Sequence, residues 1–313
     1  MVKSGVKNLP PLLNIGELIR NRYKVEAMIG GGGFGQIFIA QDKERNEKVA
    51  IKIQPKDSDT RRMVLEHGVL LKLMGKPHIP KIRCSGSIRN CSYIAMDLLG
   101  RNLSELRRKQ RARKFSAGTV YRIAPQIVTG LRHMHEIGYL HRDGMTRQFR
   151  TEEGFRKARD YAGFRGTIRY ASPRVHARQE TGPSDDLISL LYSLIELSEG
   201  VLPWTHIRET SQIGDLKLKM PLSALCERQP LELMKYANYI MDLPIDKMPD
   251  YELINATFRN CLPGGCDDMP FDWEARQEMK TCRPRSQEPI QEKENNSVGF
   301  EARFEPTQRD LSH

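Results

Sequence analysis

The chain has 313 residues, 39% apolar and 28% charged, which is enough for a sizeable core and excludes a fibrous or wholly disordered protein. Its formal charge of +11 favours acidic or phosphorylated partners over basic ones. No basic motif interleaved with aromatic residues accompanies that charge, so nucleic acid is not an expected partner. The N-terminus, Met1-Val2-Lys3-Ser4-Gly5, lacks the apolar core of a signal peptide. The longest apolar stretch, 187–202, is broken by Glu196 and Glu199, so no membrane span is expected. Six cysteines (84, 91, 226, 261, 266 and 282) form no Cys-x-x-Cys pair, and Cys261 and Cys266 have no histidine nearby. Reduced thiols in the cytoplasm, with the nucleus also open, are expected instead of a zinc site.

Residues 22–54 alternate in the manner of strands. They comprise Tyr23–Ala27, a glycine cluster, Gln36–Ala40, a polar stretch and Val49–Ile53. From about 60 to 74 the period becomes helical, with Met63, Leu70, Leu71 and Leu73 available to one face. Short strands are expected at 81–87 and 91–97. Ile123, Ile127, Leu131 and Met134 recur at spacings of three and four, predicting a long amphipathic helix from about 116 that ends before Gly138. Further helices are expected near 184–199, 230–242 and 250–260. After Trp273 the composition turns polar, and 275–313 is expected to be a disordered tail. A strand-rich lobe therefore precedes a helix-rich one.

Residues 30–35 contain Gly-x-Gly-x-x-Gly at Gly30, Gly32 and Gly35. Such a run suits a dinucleotide-binding turn, a linker or a hairpin. A dinucleotide fingerprint must open a helix, whereas a strand pattern follows here. Strand–glycines–strand lets backbone N–H groups approach phosphates, with a plain glycine-rich hairpin as the alternative. Lys52 closes Val49-Ala50-Ile51-Lys52, and Glu66 lies in the helix that follows. A strand lysine held by a helix glutamate supplies a fixed cation for phosphates. A surface lysine and a solvated glutamate are the alternatives for either residue alone. His141-Arg142-Asp143 follows the long helix through Gly138-Tyr139-Leu140, and its aspartate would accept a hydroxyl proton. His133 and His135 point to different faces, so they and Glu136 are expected to be solvated or to cap the helix, not to hold a metal.

From about residue 20 to 274 the chain resembles the casein kinase 1 group of protein kinases, most closely the tau-tubulin kinase branch. The resemblance rests on Gly163-Phe164-Arg165-Gly166-Thr167-Ile168-Arg169-Tyr170-Ala171-Ser172, Asp185–Tyr192, Leu202-Pro203-Trp204 and Pro270–Glu274. Met96–Leu103 as a hinge and Gly144–Phe149 as the start of an activation segment complete it. It implies an α+β, two-lobed kinase-like fold over 21–274 after a 1–20 extension. The small β-rich N-lobe would run to 97 and the larger helical C-lobe from 98 to 274. It also implies a monomer that uses ATP and Mg²⁺ to phosphorylate protein serine or threonine. Gly30, Gly32 and Gly35 would cover the phosphates, Lys52 and Glu66 would pair, and Ile29, Ile37 and Ala50 would enclose the adenine. The Asp97 and Leu99 backbones would meet the adenine under a Met96 gatekeeper. Asp143 would be the base, and Asp186 would steady its loop. Arg165, Arg169 and Lys217 would form a substrate anion site, implying acidic or phosphorylated protein partners. The basic run Arg107–Lys114 is expected to be a solvated face, with docking to an acidic surface as the alternative.

One junction departs from the family. Asp143 runs directly into Gly144-Met145-Thr146-Arg147-Gln148-Phe149, so the end of the catalytic loop and the following β-hairpin are missing. The catalytic-loop lysine, the metal-binding asparagine and the aspartate of Asp-Phe-Gly have no counterparts, and no metal ligand is assigned. A trans peptide holds Asp143 and Gly144 about 3.8 Å apart at Cα, so the activation segment or the helix end must move and the adenine floor is incomplete. Impaired phosphoryl transfer is the expectation, as a truncated variant or gene-model product of an active kinase. The alternatives are a non-catalytic scaffold that binds acidic or phosphorylated proteins, and weak kinase activity retained by unusual metal use.

Overall fold

The period-two pattern of the first hundred residues becomes one antiparallel sheet. The computed structural model describes residues 10–32, 35–57, 61–142, 146–266 and 268–275. Strands β1 (Leu18–Ile19), β2 (Tyr23–Gly32), β3 (Gly35–Asp42), β4 (Glu47–Pro55), β5 (Ile82–Ile88) and β6 (Cys91–Asp97) lie in the order β1-β2-β3-β4-β6-β5. One face buries Tyr23, Val25, Phe38, Ala40, Val49, Ile51, Ile53, Tyr93 and Ala95. Leu13 and Ile19 join that cluster. The Leu12 N–H donates to Gln36 Oε1 at 2.7 Å, and Gln36 Nε2 donates to the Pro10 carbonyl at 2.9 Å. The lobe therefore starts by residue 10, not at 21, because the buried Gln36 amide captures the preceding segment.

Helix α1 (Arg61–Lys72) packs through Met63, Val69 and, just beyond its end, Leu73. Leu71, assigned to the inner face, is exposed. The face turns toward Val69 because Val69 and Leu73 pack against Met134 of the other lobe, with Leu65, Ile79, Ile137 and Tyr139 around them.

The helical lobe comprises α2 (Leu103–Arg108), α3 (Ala117–Glu136), α4 (Pro173–His176), α5 (Pro183–Glu199), α6 (Thr210–Lys219), α7 (Leu222–Leu225), α8 (Leu231–Asp242) and α9 (Tyr251–Asn260). Helix α5 is apolar on nearly every side and is buried accordingly, with α3 and α8 against it. Ser116 caps α3, and Asp272 accepts from its N–H at 2.7 Å and its hydroxyl at 2.8 Å. Trp273 meets Phe115 edge-on at 5.4 Å, so the chain up to 275 is docked on this lobe. The tail expected to be disordered, from 276 onward, lies outside the described residues. Among the described residues no helix is long and apolar enough to cross a membrane. This β-rich lobe on a helical lobe is the α+β arrangement expected for a kinase-like fold.

Short strands flank the junction: β7 (Tyr139–Leu140), β8 (Arg147–Gln148), β9 (Arg150–Thr151) and β10 (Gly154–Phe155). Strand β7 pairs antiparallel with β8, Leu140 opposite Arg147, and β9 pairs with β10. Gly138 lies at φ +81°, where a Cβ would stand 2.4 Å from the Arg150 carbonyl oxygen, so only glycine admits this approach. Helix α3 runs unbroken to Glu136, and the start of the activation segment lies alongside β7.

Candidate active site

Cross-strand register gathers the cleft residues on one sheet face. Gly30 pairs with Ile37, Ile37 with Lys52, and Ala50 with Met96. Directly opposed residues share a face, and Ala50 and Lys52 are two apart, so all five point the same way. Gly32 pairs with Gly35 at the hairpin tip; Gly33 and Phe34 lie outside the described residues. Gly35 has φ +103°, and a Cβ there would meet the Ile53 carbonyl oxygen at 2.5 Å. Lys52 Nζ lies 2.5 Å from Glu66 Oε2, joining β4 to α1 with side chains 19% and 33% exposed. Ile29 stands half-exposed beside the glycines, and Leu99 is exposed on the linker between the lobes. The Asp97 carboxylate is engaged by the Lys81 N–H at 3.0 Å and Arg83 Nε at 2.8 Å. Its own N–H donates to the Lys81 carbonyl at 3.0 Å, which fixes the end of β6.

Below the cleft a buried carboxylate organises the turn after β7. Asp186, in the first turn of α5, accepts from the His141 N–H at 2.7 Å, the Arg142 N–H at 2.8 Å and His135 Nε2 at 2.9 Å. Burial pushes its pKa up, but the His135 hydrogen bond and the Arg142 N–H outweigh that and hold the carboxyl below its ordinary value. His135, expected to be solvated or capping, is instead fully buried between Asp186 and the Tyr251 hydroxyl, because α3 turns that face toward α5 and α9. Arg142 takes φ +48°, and its Nε is buried with no partner among the described residues. Asp143, the assigned base, lies outside the described residues together with Gly144 and Met145. A small, partly open pocket lies beside the turn, lined by Arg142, Arg165, Thr167, Tyr170, Asp185 and Asp186 among others.

The anion-site assignment needs correction at Lys217. Lys217 is buried, and its Nζ donates to the carbonyls of Ile168 at 2.9 Å, Arg169 at 3.0 Å and Ala171 at 2.8 Å. The Tyr192 and Trp204 rings lie 5.0 and 4.8 Å from it. Burial draws its pKa down to about 7, while the three carbonyls and two ring faces favour the charged form. Lys217 therefore binds the chain itself and presents no charge to a substrate. Arg169 donates through Nη1 to Glu196 at 2.8 Å, so its charge is already partnered. Glu196 also accepts from Arg107 at 3.1 Å and from the Tyr170 hydroxyl at 2.5 Å. Arg107 also reaches the Arg113 and Gly200 carbonyls, so the run Arg107–Lys114 is not uniformly solvated. Arg165 alone of the three is exposed, with Nη1 on the Phe164 carbonyl at 2.9 Å.

Two acidic residues had no role at the site in the sequence reading, where Glu196 served only to break an apolar stretch. Glu196 anchors Arg107, Arg169 and Tyr170, and Glu180 joins Arg147 and Arg159 at 2.5 and 2.8 Å. Their only trace in the sequence is an excess of arginine over 142–178, which names no acidic partner.

A sheet lobe that holds a glycine hairpin and a lysine–glutamate pair over a helical lobe defines a kinase-type nucleotide cleft. The family model for the protein kinase domain matches residues 23–143. A Dictyostelium discoideum protein described as a probable serine/threonine-protein kinase is 35% identical over 287 residues, covering 83% of this chain and 58% of its own length. A Caenorhabditis elegans protein named "Putative casein kinase I" is 38% identical over 232 residues, covering 66% of this chain and 68% of that protein. A second worm protein, named "Putative serine/threonine-protein kinase", is 30% identical over 309 residues, covering 88% of this chain and 87% of that protein. The chain belongs to the protein kinase family, with serine/threonine kinase and casein kinase I relatives. It spans 58% of the length of the Dictyostelium relative.

The family implies ATP and Mg²⁺. The face with Gly30, Lys52 and Ala50 suits a nucleotide polyphosphate, because Lys52 is already fixed by Glu66 and the hairpin admits close backbone approach. The donor set after the junction does not suit a divalent ion, which requires several oxygen ligands. No aspartate, asparagine or glutamate occurs between Asp143 and Glu152. Among the described residues no group of three or more His, Cys, Asp or Glu is disposed to hold a metal.

Proposed function

We propose that this chain is a casein kinase 1-like domain of the tau-tubulin kinase branch that keeps the nucleotide-clamping upper half of the site and has lost ordinary phosphoryl transfer. The observation that carries the reading is an intact Lys52–Glu66 pair above a chain that passes from His141-Arg142-Asp143 into the activation segment with no acidic residue before Glu152. The family match ending at Asp143 supports a break at that point.

In this reading Lys52, steadied by Glu66, balances negative charge on the α- and β-phosphates, and the glycine hairpin excludes water above them. When bound, Mg²⁺ supplies charge compensation at the β- and γ-phosphates, and among the described residues no cluster is set to hold it there. Losing one well-placed electrostatic contact costs about 2.7–4 kcal/mol of transition-state stabilisation. Losing both metal positions costs more and not additively. We assign the break to an internal segment removed from an active kinase sequence, since the flanking motifs are intact on both sides. Transcript sequence across codons 143–144 tests that, and continuous genomic coding through them would overturn it. The second reading, a non-catalytic scaffold for acidic or phosphorylated proteins, draws on exposed Arg156, Lys157 and Arg165. An ATP-dependent thermal shift measured with and without Mg²⁺ tests nucleotide clamping. A shift that is equal in both, and lost in Lys52→Met, supports it; no shift at all overturns it.

A further inference from the structure

Kinase activation segments are commonly ordered when a phosphate on the segment gathers arginine side chains around it. Here the gathering has already occurred around a carboxylate. Glu180 Oε1 accepts from Arg147 Nη1 at 2.5 Å, and Oε2 accepts from Arg159 Nε at 2.8 Å. Arg159 also offers its backbone N–H to Oε2 at 3.4 Å and Nη2 to Oε1 at 3.5 Å, and the Thr181 N–H donates to Oε1 at 3.2 Å. The two arginines come from opposite ends of the stretch 147–159, so one carboxylate ties the segment's start to its middle. Glu180 sits just before α5, the most deeply buried helix, and its side chain is 10% exposed. Its anchor is therefore rigid and its ion pairs are partly shielded from water, where such pairs count for more than on an open surface.

We propose that Glu180 is a positioning residue that stands in for an activation-segment phosphate, holding 147–159 ordered without modification. Charge around it agrees. Arg142, close enough for Glu180 to influence its charge, adds a third guanidinium, so one carboxylate faces an excess of positive charge that a dianion would meet more fully. The far end of the segment is secured separately. The Ala162 N–H donates to the Arg178 carbonyl at 2.7 Å, and Arg178 lies over the Phe164 ring at 5.0 Å. Removing Glu180 should therefore loosen 147–159 and leave 162–171 in place. This inference concerns segment order and does not depend on whether the chain transfers phosphate.

The test is limited trypsin digestion of the full chain, with cleavage after Arg156, Lys157 and Arg159 followed by mass spectrometry. Glu180→Ala is expected to speed cleavage there at least tenfold. Millimolar inorganic phosphate should bring the rate back to within twofold of the unsubstituted chain, while chloride at equal ionic strength should not. Rescue by phosphate separates an anion that gathers arginines from a side chain that merely fills space. Arg159→Met removes the other partner at a half-exposed position and should expose Arg156 and Lys157 equally without phosphate rescue, which keeps the test alive if Glu180→Ala does not fold. Unchanged cleavage in Arg159→Met, or failure of phosphate to protect a folded Glu180→Ala, would overturn the proposal.

Discussion

Replacing Lys217 by Met separates an internal clamp from a substrate-binding residue. Methionine keeps most of the aliphatic stem in place, so the change chiefly removes the ammonium. Three carbonyls lose a donor: that of Arg169 retains Trp204 Nε1 at 2.8 Å and that of Ile168 retains the His176 side chain, so the loss falls chiefly on Ala171. A buried acceptor left without its partner costs about 1–3 kcal/mol, which places the loss in that range. At about 2–4 °C per kcal/mol for a domain of this size, thermal unfolding should fall by roughly 2–12 °C. Circular dichroism melting measures this directly, with a phosphopeptide binding titration on the same sample. A melting point within a degree of the unsubstituted chain, together with a tenfold loss of phosphopeptide affinity, would refute the internal role.

Other outcomes follow from the same contacts. Arg165→Ala should weaken phosphopeptide binding more than Arg169→Ala does, because Arg169 is already held by Glu196; equal losses in fluorescence anisotropy would contradict that. Asp186→Asn should destabilise the fold by about 3–5 kcal/mol in guanidinium titration, since it breaks a buried charge-assisted network, and a loss under 1 kcal/mol would count against it. His176 has a pKa lowered from 6.5 to about 4, by burial first and then by the neighbouring Lys217 ammonium. Between those values the unfolded chain binds the proton and the folded one does not, so stability falls as pH drops from 6.5 toward 4. Partial exposure weakens the effect, and His176→Gln should flatten that slope in melts taken across the window.

The sheet and the long helices were legible because their burial follows period two or 3.6 over many residues, as in Val49–Ile53 and Ile123–Met134. Lys52 and Glu66 were legible for a related reason, since strand and helix signals flank each of them. The pieces that were not legible depend on contacts distant in sequence. Residues 10–20 join the sheet through Gln36, and Arg107 is buried by Glu196 and Gly200. Helix α6 offers little periodicity, and its Lys217 reads as a surface lysine until the carbonyls of 168–171 close around it. Leu71 shows the limit of pattern alone, because rotation of α1 toward Met134 was decided by the other lobe.

Phosphotransfer by the purified full chain, with labelled ATP, Mg²⁺ and an acidic serine peptide, bears most directly on the loss of the metal-holding residues. The expected incorporation does not rise above that of Lys52→Met. Turnover in the ordinary kinase range, about 1–100 s⁻¹, that needs Mg²⁺ and disappears in Lys52→Met would contradict the account.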